Sequence, residues 1–460
     1  MRDNENWRRR EGDVNDSELR SAWLEGLNEE SRSWLERDDN VFLHQSLSSP
    51  CVDVVAKSSG PTLCTPDGKV LYDFHGNNVH QLGFGHHAVV RAVTEALQDL
   101  PFSPRRYTNE RAVQLAERLV GLTGNRLNKV LFAPAATLAV DTAIKLARIV
   151  TGKQRMVSLW HSFHGASLGG LSVGGQPQFR SGLGSLGPET THIPPCATAS
   201  CPWRCGDACD MRCADYLDYV LDATRDVAAV IMEPIRNTDV QVPPRDYYDR
   251  VQAICRRHGV LLILDETATC LGRTGRMFAY QHYDLDPDMV ILGKGLGGGV
   301  FPIAALLAKR ELDDAKPYSI GHYTHEKTPV GAAAALAVID TIEREDLCQR
   351  ANELGTRIRM HLQEIQESFH VFADIRQIGA LCGAELKDTP EMDGASLAEP
   401  IMYESFHQGL NFKVASGSTL TLSPPLIMSD EQIDDAMGRL YTSIQHVLER
   451  TSKERLYTHE

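Results

Sequence analysis

Two charged side chains stand where strongly apolar stretches end. Asp265 follows the run Val260-Leu261-Leu262-Ile263-Leu264. Lys294 follows Met289-Val290-Ile291-Leu292-Gly293 and leads into Gly295-Leu296-Gly297-Gly298-Gly299. A lysine supplies an amine that condenses with a carbonyl to a Schiff base, and an aspartate supplies an anion that keeps a nearby ring nitrogen protonated. Each residue has a plainer reading. An Asp-Glu pair closing a strand also serves as a solvated edge or a helix cap. A glycine-flanked lysine also suggests a phosphate loop, but that loop needs Ser or Thr after the lysine, and Gly295 follows here. A dinucleotide turn is excluded as well, because the glycines must open a helix and Phe301-Pro302-Ile303-Ala304-Ala305-Leu306-Leu307 reads as another strand.

The surrounding pattern says where these groups would sit. Unbroken apolar runs are central strands of a parallel sheet. Such sheets bind ligands outside the carboxyl ends of their strands, which is where Asp265 and Lys294 fall. A lysine and an aspartate meeting there are what pyridoxal 5'-phosphate requires. Val227 to Met232 reads as a further strand, ending at Glu233-Pro234. Helical spacing predicts helices over 88–97, 112–122, 138–150 and 247–258, so strands and helices alternate through the middle of the chain and define an α/β fold. Asp67-Gly68 between Leu63 and Val70-Leu71-Tyr72 predicts a hairpin. Beyond Pro329 the texture changes. A long helix over 331–364, strands over 378–386 and 418–422, and a final helix from the Ser429 cap to about Glu449 predict a smaller α+β domain. The expected division is 1–85 as N-terminal arm and part of the small domain, 86–330 as the large domain, and 331–460 as the small one. In the arm, Trp23, Leu24 and Leu27 are expected to dock a helix.

With 460 residues, the chain can bury more than one core. A formal charge of -14 argues against a nucleic-acid partner. No apolar stretch reaches the ~18 residues of a membrane span. The N-terminus, with Arg8-Arg9-Arg10 among acids and amides, lacks the apolar core of a signal peptide. The expectation is a cytoplasmic protein. Five of its 11 cysteines crowd into Cys196, Cys201, Cys205, Cys209 and Cys213. An odd cluster in such a chain does not read as a secreted disulfide framework. It leaves a zinc or iron–sulfur site as one reading and free or redox-active thiols in an insertion loop as the other.

With these residues in view, the chain resembles the class III aminotransferases, enzymes of fold type I that use pyridoxal phosphate. Asp265-Glu266, Gly272-Arg273-Thr274-Gly275 with Phe278, Pro287-Asp288 and Gly293-Lys294 look like the family signature, in order. Phe163-His164-Gly165 and Glu233-Pro234 precede it. Thr324, Pro329 and Pro424-Pro425-Leu426 follow. The resemblance implies a mixed, mostly parallel sheet in the large domain and a homodimer with shared active sites. It also implies that Lys294 is the Schiff-base lysine and proton shuttle, and that Asp265 faces the pyridine nitrogen. Phe163 would stack on the ring. Ala136, Thr137 and Thr324 would face the phosphate, the last from the neighbouring subunit, and His164 and Thr267 would complete the cofactor set.

Three departures qualify it. The usual Ser-Gly phosphate turn is Ala135-Ala136-Thr137, where Thr137 would compensate for a lost hydroxyl. The usual Asp-Glu-Val-Gln is Asp265-Glu266-Thr267-Ala268, so the Gln that touches the phenolic oxygen is absent. The Arg that grips an α-carboxylate shortly before Pro-Pro-Leu is Thr421, and a carboxylate without its bidentate Arg loses much of its recognition. A narrower resemblance bears on this. Residues 74–81, 101–109 and 321–327, and the clustered cysteines near Pro202-Trp203, look like a branch of the family that includes a phosphonate-degrading ammonia-lyase. The expected reaction is elimination from the amine 1-hydroxy-2-aminoethylphosphonate, giving phosphonoacetaldehyde and ammonia. Arg105, Arg106, Glu233, His325 and Lys327 are candidate substrate contacts. The alternatives are an aminotransferase passing the amino group to a 2-oxo acid and a catalytically silent scaffold or metal-binding member.

Overall fold

A computed structural model describes residues 17–45, 51–187, 189–197, 201–203, 205, 209–388 and 393–458. The Arg8-Arg9-Arg10 stretch lies outside the described residues. A seven-stranded sheet forms the centre. Its order is Lys129–Ala133, Ala304–Ala308, Met289–Leu292, Leu261–Asp265, Val227–Met232, Arg155–Leu159 and Thr190–Ile193. Only Ala304–Ala308 runs antiparallel to its neighbours. Val227–Met232 is buried along its whole length, as expected of a strand covered by helices on both faces. The fold is therefore α/β with a mixed, mostly parallel sheet.

Around it stand helices His87–Asp99, Glu110–Leu122, Ala136–Thr151 and Arg245–His258. Two smaller sheets complete the fold. One joins Lys57–Ser59, Thr62–Cys64 and Val70–Asp73 to Leu410–Asn411, so the two ends of the chain share a sheet. Its Asp67-Gly68 hairpin forms as expected, with Gly68 at φ 85°. The other joins Phe372–Ile378, Leu381–Leu386, Thr419–Leu422 and Lys413–Ala415, all antiparallel. In the arm, helices Glu18–Gly26 and Glu29–Val41 form. Trp23 docks against Tyr403, Phe406 and His407, and its indole donates to Val52 O at 2.7 Å. No helix among the described residues is long and apolar enough to cross a membrane.

Two expectations need correction. The helix expected over 331–364 is two helices, Pro329–Arg344 and Leu347–Phe369, broken where Asp346 adopts φ 47°. The strand expected over 378–386 is a hairpin of Phe372–Ile378 and Leu381–Leu386, turned at Gly379 (φ 52°). That turn is pressed onto the second helix. A Cβ on Gly355 would stand 1.6 Å from Gly379 O. Gly355→Ala must push the two apart. It is expected to cost about 2–3 kcal/mol, read as a lower urea midpoint with unchanged slope. An unchanged midpoint would refute the contact.

Candidate active site

Asp265 and Lys294 come from adjacent parallel strands, with Asp265 in register with Ile291. Both groups therefore emerge at the same carboxyl edge of the sheet, as the sequence predicts. Asp265 is almost completely buried and held from three sides. His164 Nδ1 lies 2.8 Å from Oδ2, while Thr267 N and Oγ1 donate to Oδ1 at 3.0 and 2.5 Å. Burial alone would raise its pKa. The His164 contact and the Thr267 donors outweigh that and leave it below the ordinary aspartate value. The carboxylate is thus kept as an anion in a dry site.

Lys294 opens a short turn, Lys294–Gly297, at φ 44°. This left-handed backbone is uncommon for a side chain other than glycine and marks a position fixed by its surroundings. Burial lowers its pKa first. Glu233 and Asp265 pull the value up and Lys413 pushes it down, leaving it below that of an ordinary lysine. A neutral, nucleophilic amine is accordingly easier to reach here than in water.

The remaining predicted residues divide. Ala136 and Thr267 meet at Gly293, the residue before Lys294, where an added Cβ would stand 2.9 Å from Ala136 Cβ and 3.2 Å from Thr267 Cγ2. Ala136 begins the helix Ala136–Thr151, whose N-cap Ala135 makes no side-chain cap bond. The first backbone N–H groups are left for an anion. Thr137 is differently employed. Its Oγ1 donates to Ser167 Oγ at 2.8 Å and accepts from Ser167 N at 2.9 Å, and Ser167 Oγ donates to Asp141 at 2.8 Å. Thr137 thus anchors the 165–167 turn through its hydroxyl. Phe163 packs on Phe179, with ring centroids 4.7 Å apart. Its N–H donates to Glu233 Oε1 at 3.3 Å, and Glu233 Oε2 accepts from Asn237 N at 3.1 Å. Glu233 is buried, and its carboxylate braces two backbone segments of the site.

The other candidates lie elsewhere in the chain. Arg105, Arg106, Thr324, His325 and Lys327 are all exposed. Their two segments do meet. Arg105 Nη1 donates to His322 O at 3.3 Å, Asn109 Nδ2 donates to Lys327 O at 2.9 Å, and Phe102 packs on His325. Cys196, Cys201, Cys205, Cys209 and Cys213 line one cavity of about 460 Å³. Cys201 Sγ lies 3.7 Å from Cys205 Sγ, Cys205 Sγ lies 3.6 Å from Asp210 Oδ1, and Cys205 also meets Cys209 while Cys196 meets Cys213. Among the described residues, no group of three or more His, Cys, Asp or Glu side chains is placed to hold a metal ion.

Sequence reasoning missed Ser167, thirty residues from its partner, and the role of Gln81. Both amide atoms of Gln81 are buried without a partner, and its side chain covers Gly295, next to Lys294. The only sequence signal for Gln81 is its place in the 74–81 segment.

The half-buried amine, the buried anion, an uncapped helix N-terminus and the unpartnered His164 Nε2 fit pyridoxal phosphate in chemistry. A family model for class III aminotransferases matches residues 45–444, and the chain belongs to that family of enzymes. It is 44% identical over 457 residues to the (R)-1-hydroxy-2-aminoethylphosphonate ammonia-lyase of Vibrio splendidus, covering 95% of each chain. It is 32% identical to the acetylornithine aminotransferase of Methanopyrus kandleri, over 84% of this chain and 94% of that one. Among solved structures it resembles an amine transaminase from an uncultivated Pseudomonas species, with a TM-score of 0.82 and 29% identity over 88% and 99% of the two chains. The fold is that of the fold-type I pyridoxal phosphate transaminases.

Proposed function

We propose that the chain holds pyridoxal phosphate at Lys294 and eliminates ammonia from (R)-1-hydroxy-2-aminoethylphosphonate, leaving phosphonoacetaldehyde. The observation that carries this reading is the 44% identity spanning 95% of both chains with an ammonia-lyase of that name. Thr421 supports it. An aminotransferase must bind a 2-oxo acid in its second half-reaction, and the bidentate Arg that the resemblance leads one to expect is missing.

Bound pyridoxal phosphate supplies an electron sink for the carbon that carries nitrogen. The protein does the rest. The Asp265 carboxylate, fixed by His164 and Thr267, keeps the ring nitrogen protonated. The N–H groups of Ala136 and Thr137 at the helix start receive the phosphate. Lys294 Nζ takes the proton from the nitrogen-bearing carbon. The hydroxyl on the adjacent carbon leaves as water, and a second water hydrolyses the resulting enamine to aldehyde and ammonia. Water lost and water gained cancel, so no oxidant or second substrate is consumed. We read the assembly as a homodimer, in which the exposed loop carrying Thr324 would face the neighbouring subunit's site.

Purified, cofactor-loaded protein is expected to release ammonia and an aldehyde in equal amounts from this phosphonate, without any 2-oxo acid. Absence of both products would remove the reading.

A further inference from the structure

The small antiparallel sheet lays one row of side chains across the loop that follows Glu233. Arg376, Gly383, Thr421 and Lys413 are successive cross-strand partners and therefore share a face. Arg376 donates to Asp239 O at 3.0 Å and to Val240 O at 3.1 Å. Gly383 lies against Val240 and Asp239 O. Thr421 Oγ1 donates to Thr238 O at 3.0 Å. Arg376 and Gly383 thus meet the same two loop residues, and Thr421, one strand or about 4.8 Å further on, meets the residue before them, on the Glu233 side. The next step is Lys413, half-buried at the end of the row. Independently, its charge is one of those acting on Lys294. A cation therefore stands one strand beyond Thr421, on the sheet face that meets the loop following Glu233.

We infer that Lys413 is the residue that binds the anionic phosphonate group of the substrate. The inference rests on the elimination reading above and adds the group that recognises its substrate. The chemistry is selective. A guanidinium fork suits a planar carboxylate held in two parallel hydrogen bonds. An ammonium on a flexible stem suits a tetrahedral dianion, which offers oxygens in several directions. Thr421 is itself occupied, its hydroxyl donating to Thr238 O, so the cation beside it is the group left for the anion. An anion at Lys413 would also offset its repulsion of Lys294.

The test compares wild type, Lys413→Met and Lys413→Arg, each loaded with cofactor, in ammonia release from 1-hydroxy-2-aminoethylphosphonate and in inhibition by ethylphosphonate. Lys413→Met is expected to raise KM and weaken ethylphosphonate inhibition by roughly 10- to 100-fold, with kcat changed less than about threefold. Lys413→Arg, which keeps the charge, is expected to recover most of both. If wild type turns over and Lys413→Met matches its KM and inhibition constant within twofold, Lys413 is not the anion site and the elimination reading stands. A fall in kcat with KM unchanged would likewise overturn the inference. If wild type releases no ammonia, the elimination reading falls, and the inference with it.

Discussion

Lys294→Ala is expected to lose turnover by about 10⁴-fold or more, because it removes the covalent attachment point and the proton-transferring base together. The same change is expected to abolish the long-wavelength absorbance of the cofactor-loaded protein, while the fold persists. The position itself tolerates the loss. Lys294 already sits at φ 44°, so alanine inherits the backbone strain without adding a clash. A truncated side chain in a site built to receive a ligand leaves space that the cofactor fills. Absorbance and activity should therefore disappear without a matching change in urea midpoint. A yellow Lys294→Ala protein that still turns over would refute the assignment of this lysine, whatever its stability.

Asp265→Asn is expected to cost about 10³-fold in kcat, since it deletes a preorganised charge in a dry site while keeping the shape of the side chain. The carboxylate is held below its ordinary pKa by His164 and Thr267 against the opposing effect of burial. It is therefore ionised throughout the neutral and alkaline range, and the loss should be nearly independent of pH there. Below the ordinary aspartate pKa, wild type itself should lose the advantage as the carboxylate gains a proton. Thr267 Oγ1 can still donate to the asparagine oxygen, so the variant should bind cofactor and fold. A loss of less than about tenfold would mean that the charge at 265 is not what the reaction uses.

What could be read beforehand follows from how local each signal is. Asp265 and Lys294 are legible because each ends a run of apolar residues, and burial of such runs on both faces fixes the sheet edge at which they emerge. The helices over 136–151 and 245–258 are legible from spacing alone. The break at Glu345-Asp346 is not, because neither residue is Gly or Pro, and Asp346 turns left-handed only in the packed structure. The Gly379 turn was hidden inside an apolar stretch that reads as one strand. Its close contact with Gly355 is tertiary.

The site divides in the same way. The residues around Asp265 were found because they lie in motifs. The hydroxyl of Thr137 was given to the phosphate, yet it bonds Ser167, a partner that no spacing announces. Arg105, Arg106 and Lys327 are legible only as charges, and it is the fold that packs their two segments together on an exposed surface. Lys413 opens a short strand and carries no motif, and only the pairing of that strand with Thr419–Leu422 brings it beside Thr421. The five cysteines form a pattern with two readings, and the fold gathers all five around one cavity.

The most direct test of the account is the number of ammonia molecules released per active site from 1-hydroxy-2-aminoethylphosphonate, with purified cofactor-loaded protein and no 2-oxo acid. Elimination predicts many turnovers, one aldehyde for each ammonia, and a cofactor spectrum that returns to its starting form. A reaction that stops within one equivalent, and resumes only when a 2-oxo acid is added, would contradict it and identify an aminotransferase that binds its acceptor without an arginine at 421.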